Sequence, residues 1–323
     1  VLSDTMIPSM IRHKCMLMHQ SIYFIYMNMN LHHLAIFHAI AESGSLTVAA
    51  KRMHISQPAI SRQLKWFENR LGVVLFERLP RGMRLTHAGE ILRNYAARIF
   101  DMERAAAAAM RDIAHVDRGE LPIAASNTMG TYLLPTWLVE FRLRYPRIAV
   151  SVFVGNTEQV AAGVADWRFA FGFIEGPLHD DTLKVERLMQ DEIVPVAAAD
   201  AGFMTGRRLQ AKALATLPVL AREPGSGTRE LVMTLLASLA IVPTNVLCLG
   251  NTEALKRAAV RGGGIAWLPR VCMEEELSSG ALVPLQWPNL SIRRPLNIVS
   301  HAGAYVSPAA KAFLDLVRAA VKT

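Results

Sequence analysis

The sequence predicts an α/β domain preceded by an all-α winged helix-turn-helix domain and a long linker helix. Three observations carry this reading. Residues 31–71 hold three short helical runs, the last two joined by a tight turn. A helical apolar seam then runs from residue 87 to residue 113. Beyond Gly119, strand-like and helical runs alternate, the signature of an α/β sheet. With 52% hydrophobic and 19% charged residues among 323, and a mean hydropathy of +0.23, the chain can bury sizeable cores. That composition excludes a mainly disordered or fibrous protein.

Residues 1–28 lack periodicity, carry five methionines and read as a poorly ordered upstream extension. Their apolar run, 21–27, is too short for a signal core followed by a small-residue cleavage site. The winged domain is expected over 29–86. Its first helix begins at Leu31, places Leu34, Phe37, Ile40 and Ala41 at helical spacing, and ends at Gly44. Ser45 is placed to cap a second helix, Leu46 to Met53, and Ser56 a third, Gln57 to Leu71, with Pro58 tolerated in its first turn. Val73–Phe76 and Met83–Leu85 then read as strands of a hairpin around Leu79–Gly82, with Arg78, Arg81 and Arg84 about it.

The linker helix is expected over 87–118, with Ile91, Leu92, Tyr95, Ile99, Met102, Ala106, Met110 and Ile113 in its seam. A lone helix this long with an apolar stripe needs a partner, so it reads as a dimerisation helix. The α/β domain is expected over 119–323. Strands are predicted at 121–125, 149–154, 169–174, 192–198, 218–220, 246–249, 264–268 and 296–300, and helices near 132–145, 160–164, 228–240, 253–261 and 307–321.

The net charge of +8 is uneven. Residues 1–118 hold 15 Lys/Arg against 9 Asp/Glu, whereas residues 119–323 hold 20 against 18. A basic head on a nearly neutral body suggests a polyanion-binding module joined to one with another task. Cys15, Cys248 and Cys272 lie far apart, which argues against a disulfide framework or zinc knuckle and for a reducing cytoplasm. No run reaches the ~18 apolar residues of a membrane-spanning helix, so no membrane partner is expected.

The segment from Leu34 to Gly89 resembles the amino-terminal domain of LysR-type transcriptional regulators. The match rests on Ser43-Gly44-Ser45-Leu46, Ala49-Ala50, Ser56-Gln57-Pro58-Ala59-Ile60-Ser61, Leu71-Gly72, Leu75-Phe76-Glu77-Arg78 and Leu85-Thr86-x-Ala88-Gly89, in family order. The remainder resembles that family's effector-binding region through Leu133-Leu134-Pro135, Gly155-Asn156-Thr157-Glu158, Arg222-Glu-Pro-Gly-Ser-Gly-Thr-Arg229 and Asn251-Thr252-Glu253. One departure is Ala170, where the family carries an acidic residue before Gly172. The resemblance implies an effector domain of two periplasmic-binding-protein-like lobes, lobe I about 119–191 plus the C-terminal part and lobe II about 192–285. It also implies a homotetramer built from dimers, with RNA polymerase as a further partner.

A recognition helix presents its first residues to base edges, where Gln pairs with adenine and Arg with guanine. Gln57, Ser61, Arg62 and Lys65 approximate one face of the third helix. Gln57 and Arg62 are assigned to base readout and Ser61 to a nearby polar contact. Ser56, Lys65, Arg78, Arg81 and Arg84 are assigned to phosphates of double-stranded promoter DNA. Three strand-to-helix loops supply the expected effector site: Ser126-Asn127-Thr128, Asn156-Thr157, and Ser226, Thr228 and Arg229. Free N–H groups and small hydroxyls at helix starts favour anions, so a small organic anion is the expected effector. The rival reading is an enzyme of unknown type fused to a helix-turn-helix domain. The sequence has no Gly-x-Ser-x-Gly elbow, Walker loop or His-Glu-x-x-His, and no catalytic residue, metal or cofactor is expected.

Overall fold

The computed structural model describes residues 29–80, 82–114, 119–202, 211–285 and 290–322. The expected upstream extension, Arg81 and the last residues of the expected linker, 115–118, lie outside them. The chain divides into two compact units, one ending at Phe100 and the other beginning at Asp101.

The first unit contains α1 (Leu31–Ser43), α2 (Leu46–Arg52), α3 (Gln57–Leu71), the hairpin β1 (Phe76–Leu79) and β2 (Gly82–Leu85), and the start of α4 (His87–Ala114). Side chains of Asn30, Ser45 and Ser56 cap the three short helices by accepting from His32, Val48 and Ala59 amides. Gly44 and Gly72 end α1 and α3 in the left-handed region, φ 61° and 71°. Leu34, Ile36, Phe37, Ile40, Ala49, Ile60, Leu64 and Phe67 close a core that Leu75, Phe76, Leu92 and Ala96 complete. The hairpin lies later than expected, because residues 73–75 form a connection rather than a strand. Glu68 of α3 accounts for this: its Oε1 accepts from Leu75 N (2.8 Å), taking the donor that would extend the ladder, and also from Phe76 N (3.3 Å).

The second unit is built on one mixed sheet, ordered β4-β3-β5-β11-β6-β9-β7-β8, with β10 also paired to β6. Its strands are β3 (Gly119–Ser126), β4 (Ile148–Gly155), β5 (Phe171–Glu175), β6 (Leu183–Ala198), β7 (Val219–Arg222), β8 (Val246–Leu249), β9 (Ile265–Pro269), β10 (Leu282–Pro284) and β11 (Ile292–His301). A π-helical turn (Met129–Leu133) leads into α5 (Leu134–Arg144); the other helices are α6 (Thr157–Ala165), α7 (Gly227–Ser238), α8 (Thr252–Val260), α9 (Glu274–Ser278) and α10 (Pro308–Lys322).

The antiparallel pair β6–β11 divides the sheet. Parallel β3, β4 and β5 lie on one side and β9, β7 and β8 on the other. Each half has its own core: Leu121, Ile123, Trp137, Phe141, Phe173 and Phe313 fill the first, and Ile193, Val219, Leu236, Ile265 and Trp267 the second. These halves are the two lobes. The strand expected at 192–198 is the second half of β6: pairing with β11 runs from 183 to 193, and 193–196 pair with β9. Among the described residues no helix is long and apolar enough to cross a membrane, and no cluster of His, Cys, Asp and Glu is arranged for a metal ion.

Candidate functional site

The first site is the outer face of α3. Ile60, Leu64 and Phe67 turn inward, leaving Gln57, Arg62 and Lys65 exposed on the opposite side. Ser56 caps the helix through Oγ at 3.4 Å from Ala59 N. Ser61 is half-buried and accepts from Arg78 Nη2 at 3.1 Å, which ties the wing to the helix. Arg84 donates to Glu77 across the hairpin, Nη2 to Oε2 at 2.6 Å. That pair cancels much of the field expected from Arg84. Lys51 and Arg52, exposed in the last turn of α2, were not singled out from sequence. Their signal was a basic pair directly before the turn at His54, whose φ is 55°.

The second site lies between the lobes, where the parallel strands of both halves end. Ser126 ends β3, Gly155 ends β4, Glu175 ends β5 and Arg222 ends β7. Two sets of bonds hold the lobes together. Asn156 Nδ2 donates to Pro224 O (3.3 Å), Glu158 N to Gly225 O (3.1 Å) and Gly227 N to Thr157 Oγ1 (3.3 Å). Thr157 Oγ1 in turn donates to Glu175 O at 2.9 Å. On the other flank the Tyr132 hydroxyl donates to Glu253 Oε2 at 2.5 Å. This bond is the chief cause that holds the Glu253 carboxyl down to about 2, helped by Arg257. Burial first, and then the same bond, hold the Tyr132 phenol above its ordinary range.

A buried cluster lies at the junction. Arg294 of β11 is fully buried and donates Nε to Asp191 Oδ2 (2.9 Å) and Nη1 to Thr228 Oγ1 (2.7 Å). Its Nη1 stands 3.9 Å from Glu175 Oε1. Burial pushes the Glu175 carboxyl up, against the opposing pull of Arg294, Thr128 and Arg222. Ser126 Oγ, Thr128 Oγ1, Glu175 Oε2 and Arg294 Nη2 are buried without a hydrogen-bond partner; Arg294 Nη2 has Asp191 Oδ2 only at ion-pair distance, 2.8 Å.

The structure thus separates the residues expected at the effector site. The Ser126 and Thr128 hydroxyls are buried without a hydrogen-bond partner. Asn127 donates to Gly155 O (2.8 Å), and Ser226 caps α7. Arg229 donates to Arg222 O (2.7 Å), Thr228 holds Arg294, and Asn156 and Thr157 join the lobes. Glu175, Asp191 and Arg294 were missed from sequence. The one available signal was an acid closing the apolar run Phe171-Gly-Phe-Ile-Glu175. Ala170, the departure from the family pattern, is exposed and outside β5.

The family described as the LysR substrate binding domain matches residues 114–322, and the bacterial regulatory helix-turn-helix protein, lysR family, matches residues 31–90. The chain belongs to the LysR family of transcriptional regulators. Among its LysR-type relatives is the HTH-type transcriptional regulator YeiE of Escherichia coli strain K12, 34% identical over 289 residues, covering 90% of this chain and 97% of YeiE. Among solved structures, the CcmR regulatory domain of Synechocystis PCC6803 in complex with 2-PG is 28% identical with a TM-score of 0.57, covering 63% of this chain and 98% of that one. Full-length CbnR complexed with its target DNA shares the fold, with a TM-score of 0.64 at 23% identity over 90% of this chain and 99% of CbnR. This LysR-type regulator is therefore a DNA-binding transcription factor with an effector-binding domain, and the enzyme alternative has no support.

Proposed function

We propose that this regulator reads promoter DNA through Gln57 and Arg62 and is switched by a small organic anion held between its lobes. The observation that carries the effector reading is the set of buried oxygens without a hydrogen-bond partner where β3 and β5 end: Ser126 Oγ, Thr128 Oγ1 and Glu175 Oε2. A buried polar group left unpaired costs ~1–3 kcal/mol, and a ligand that bonds these atoms of lobe I and also meets the start of α7 in lobe II favours the closed state by its differential affinity. The complex of the related CcmR regulatory domain with 2-PG supports a small-molecule effector for this domain.

Ser56, Lys65, Arg78 and Arg81 supply phosphate contacts in this reading, with Arg84 in a lesser role and Lys51 and Arg52 added. The dimer forms along α4, where Ile91, Tyr95, Met102 and Met110 are exposed apolar side chains on a long helix. Dimers pair into tetramers that work in the cytoplasm beside RNA polymerase. Calorimetric titration with a panel of small organic anions, 2-PG included, tests the switch. Thr128→Val is expected to weaken the anion that binds by about 1–3 kcal/mol, the scale of a hydrogen bond to a charged group. DNA binding without ligand should be unchanged, and unaltered anion affinity in that variant would move the site elsewhere.

A further inference from the structure

Tyr132 reaches from the first lobe into the second, on the flank of the cleft away from Asn156 and Gly227. It belongs to the π-helical turn Met129–Leu133 that follows Ser126–Thr128. Such turns are rare and cluster at functional sites; a regular α-helical turn here would rotate the Tyr132 side chain to another bearing. Its ring packs against the second lobe's apolar cluster, which contains Leu255, Cys272 and Met273, and Lys256 Nζ stands 5.4 Å from the ring centroid. The hydroxyl ends on Glu253 Oε2 at 2.5 Å. With its carboxyl held down to about 2, Glu253 is an ionised acceptor at neutral pH.

This contact can part without stranding a buried group. Glu253 keeps Arg257 Nε at 2.8 Å and Lys256 Nζ at 3.4 Å, both from α8 of its own lobe, and Lys256 keeps Glu276 at 2.9 Å. The freed phenol meets water. Separation therefore costs the net worth of one hydrogen bond and some apolar contact, and not the larger penalty of an orphaned polar group. We propose that Tyr132 is a releasable latch, whose hydroxyl bond to Glu253 sets how much of the regulator stands closed before an effector arrives. An effector that needs the closed state then binds in proportion to that closed fraction. The inference requires only that the lobes part, and it holds whatever the effector is.

The far flank supplies the reporter. The amides of Glu158 and Gly227 lie in the first turns of α6 and α7, where an N–H has no acceptor within its own helix. Glu158 N donates to Gly225 O and Gly227 N to Thr157 Oγ1, so each is protected by the opposite lobe. Hydrogen exchange resolved to single amides therefore reads lobe opening at a distance from Tyr132. The full chain is measured in buffer free of sulfate and phosphate, so that no oxyanion in the cleft contributes to closure.

Tyr132→Phe keeps the ring and loses the hydroxyl, and both amides should then exchange about tenfold faster. That is the low end for a hydrogen bond to a charged group, because the Glu253 side chain is 38% exposed. Glu253→Ala should act alike, and the double variant should go no further than either single one, since the same bond is lost in all three. Amides of the β3–β4 and β7–β9 ladders should keep their wild-type rates. Unchanged exchange at Glu158 and Gly227 in Tyr132→Phe overturns the proposal. So does additivity in the double variant, and so does faster exchange spread through both ladders, which marks a loosened fold instead of parted lobes.

Discussion

Gly227→Ala tests whether lobe closure is needed for effector binding. Gly227 opens α7 and faces the other lobe, where an added Cβ would stand 2.0 Å from Glu175 O and 2.9 Å from Thr157 Oγ1. Real Cβ contacts essentially never fall below 3.0 Å, and Glu175 O belongs to backbone fixed by the β5–β11 ladder. The start of α7 must therefore withdraw by about 1 Å, the overlap expected of an overpacked site. Withdrawal strains the Gly227–Thr157 and Glu158–Gly225 bonds, worth ~0.5–1.5 kcal/mol each, on top of ~1–3 kcal/mol of overpacking. The closed state should lose about 2–6 kcal/mol relative to the open one, at least about thirtyfold in population. Opening relieves the clash, so thermal stability should move little. Small-angle scattering and calorimetry of the full chain with sulfate read the two effects: a more open solution shape and a matching loss of affinity. Wild-type affinity in Gly227→Ala would refute the link between closure and binding.

Arg62→Ala should cost about 1–3 kcal/mol at a single base pair and relax specificity there, as loss of a bidentate contact does. A binding assay over a randomised site reads this, and an unchanged base preference would remove Arg62 from readout. Tyr95→Asp should split the dimer, which sedimentation reads. Tyr95 is 59% exposed, whereas Ile99 packs on the core of the first unit, so only the former tests association without damaging the fold.

The helices of the first unit were legible because their ends carry local signals: Ser45, Ser56, Gly44 and Gly72 act within a turn of their own positions. The first half of β6 was not legible. Its Lys-Val-Glu-Arg-Leu-Met-Gln-Asp stretch has no clean alternation, and its strand character depends on β11, more than a hundred residues later. Glu186 of the same stretch also forms an ion pair with Arg318 of α10, at 2.8 Å. The site divides along the same line. Ser126 and Thr128 follow a readable strand end, so their position was predictable. Glu175 and Arg294 matter because β5 and β11 become neighbours and bring Asp191 and Thr228 with them, which no local window contains. The hydroxyls of Thr157 and Thr228 looked free in sequence because the groups they bind come from distant elements.

The two strands that pass between the lobes do so side by side, hydrogen-bonded through the crossing, with a register shift at Leu296/Asn297. Such a ribbon bends and twists as a leaf spring does. Its restoring torque grows with angle, unlike a loose loop that swings at constant cost. Opening and closing should therefore be confined to a narrow arc about a rest angle. A bound molecule slightly too large would hold the spring at a different deflection rather than be refused. Effector size would then be written into an angle, and graded molecules would give graded outputs from one site.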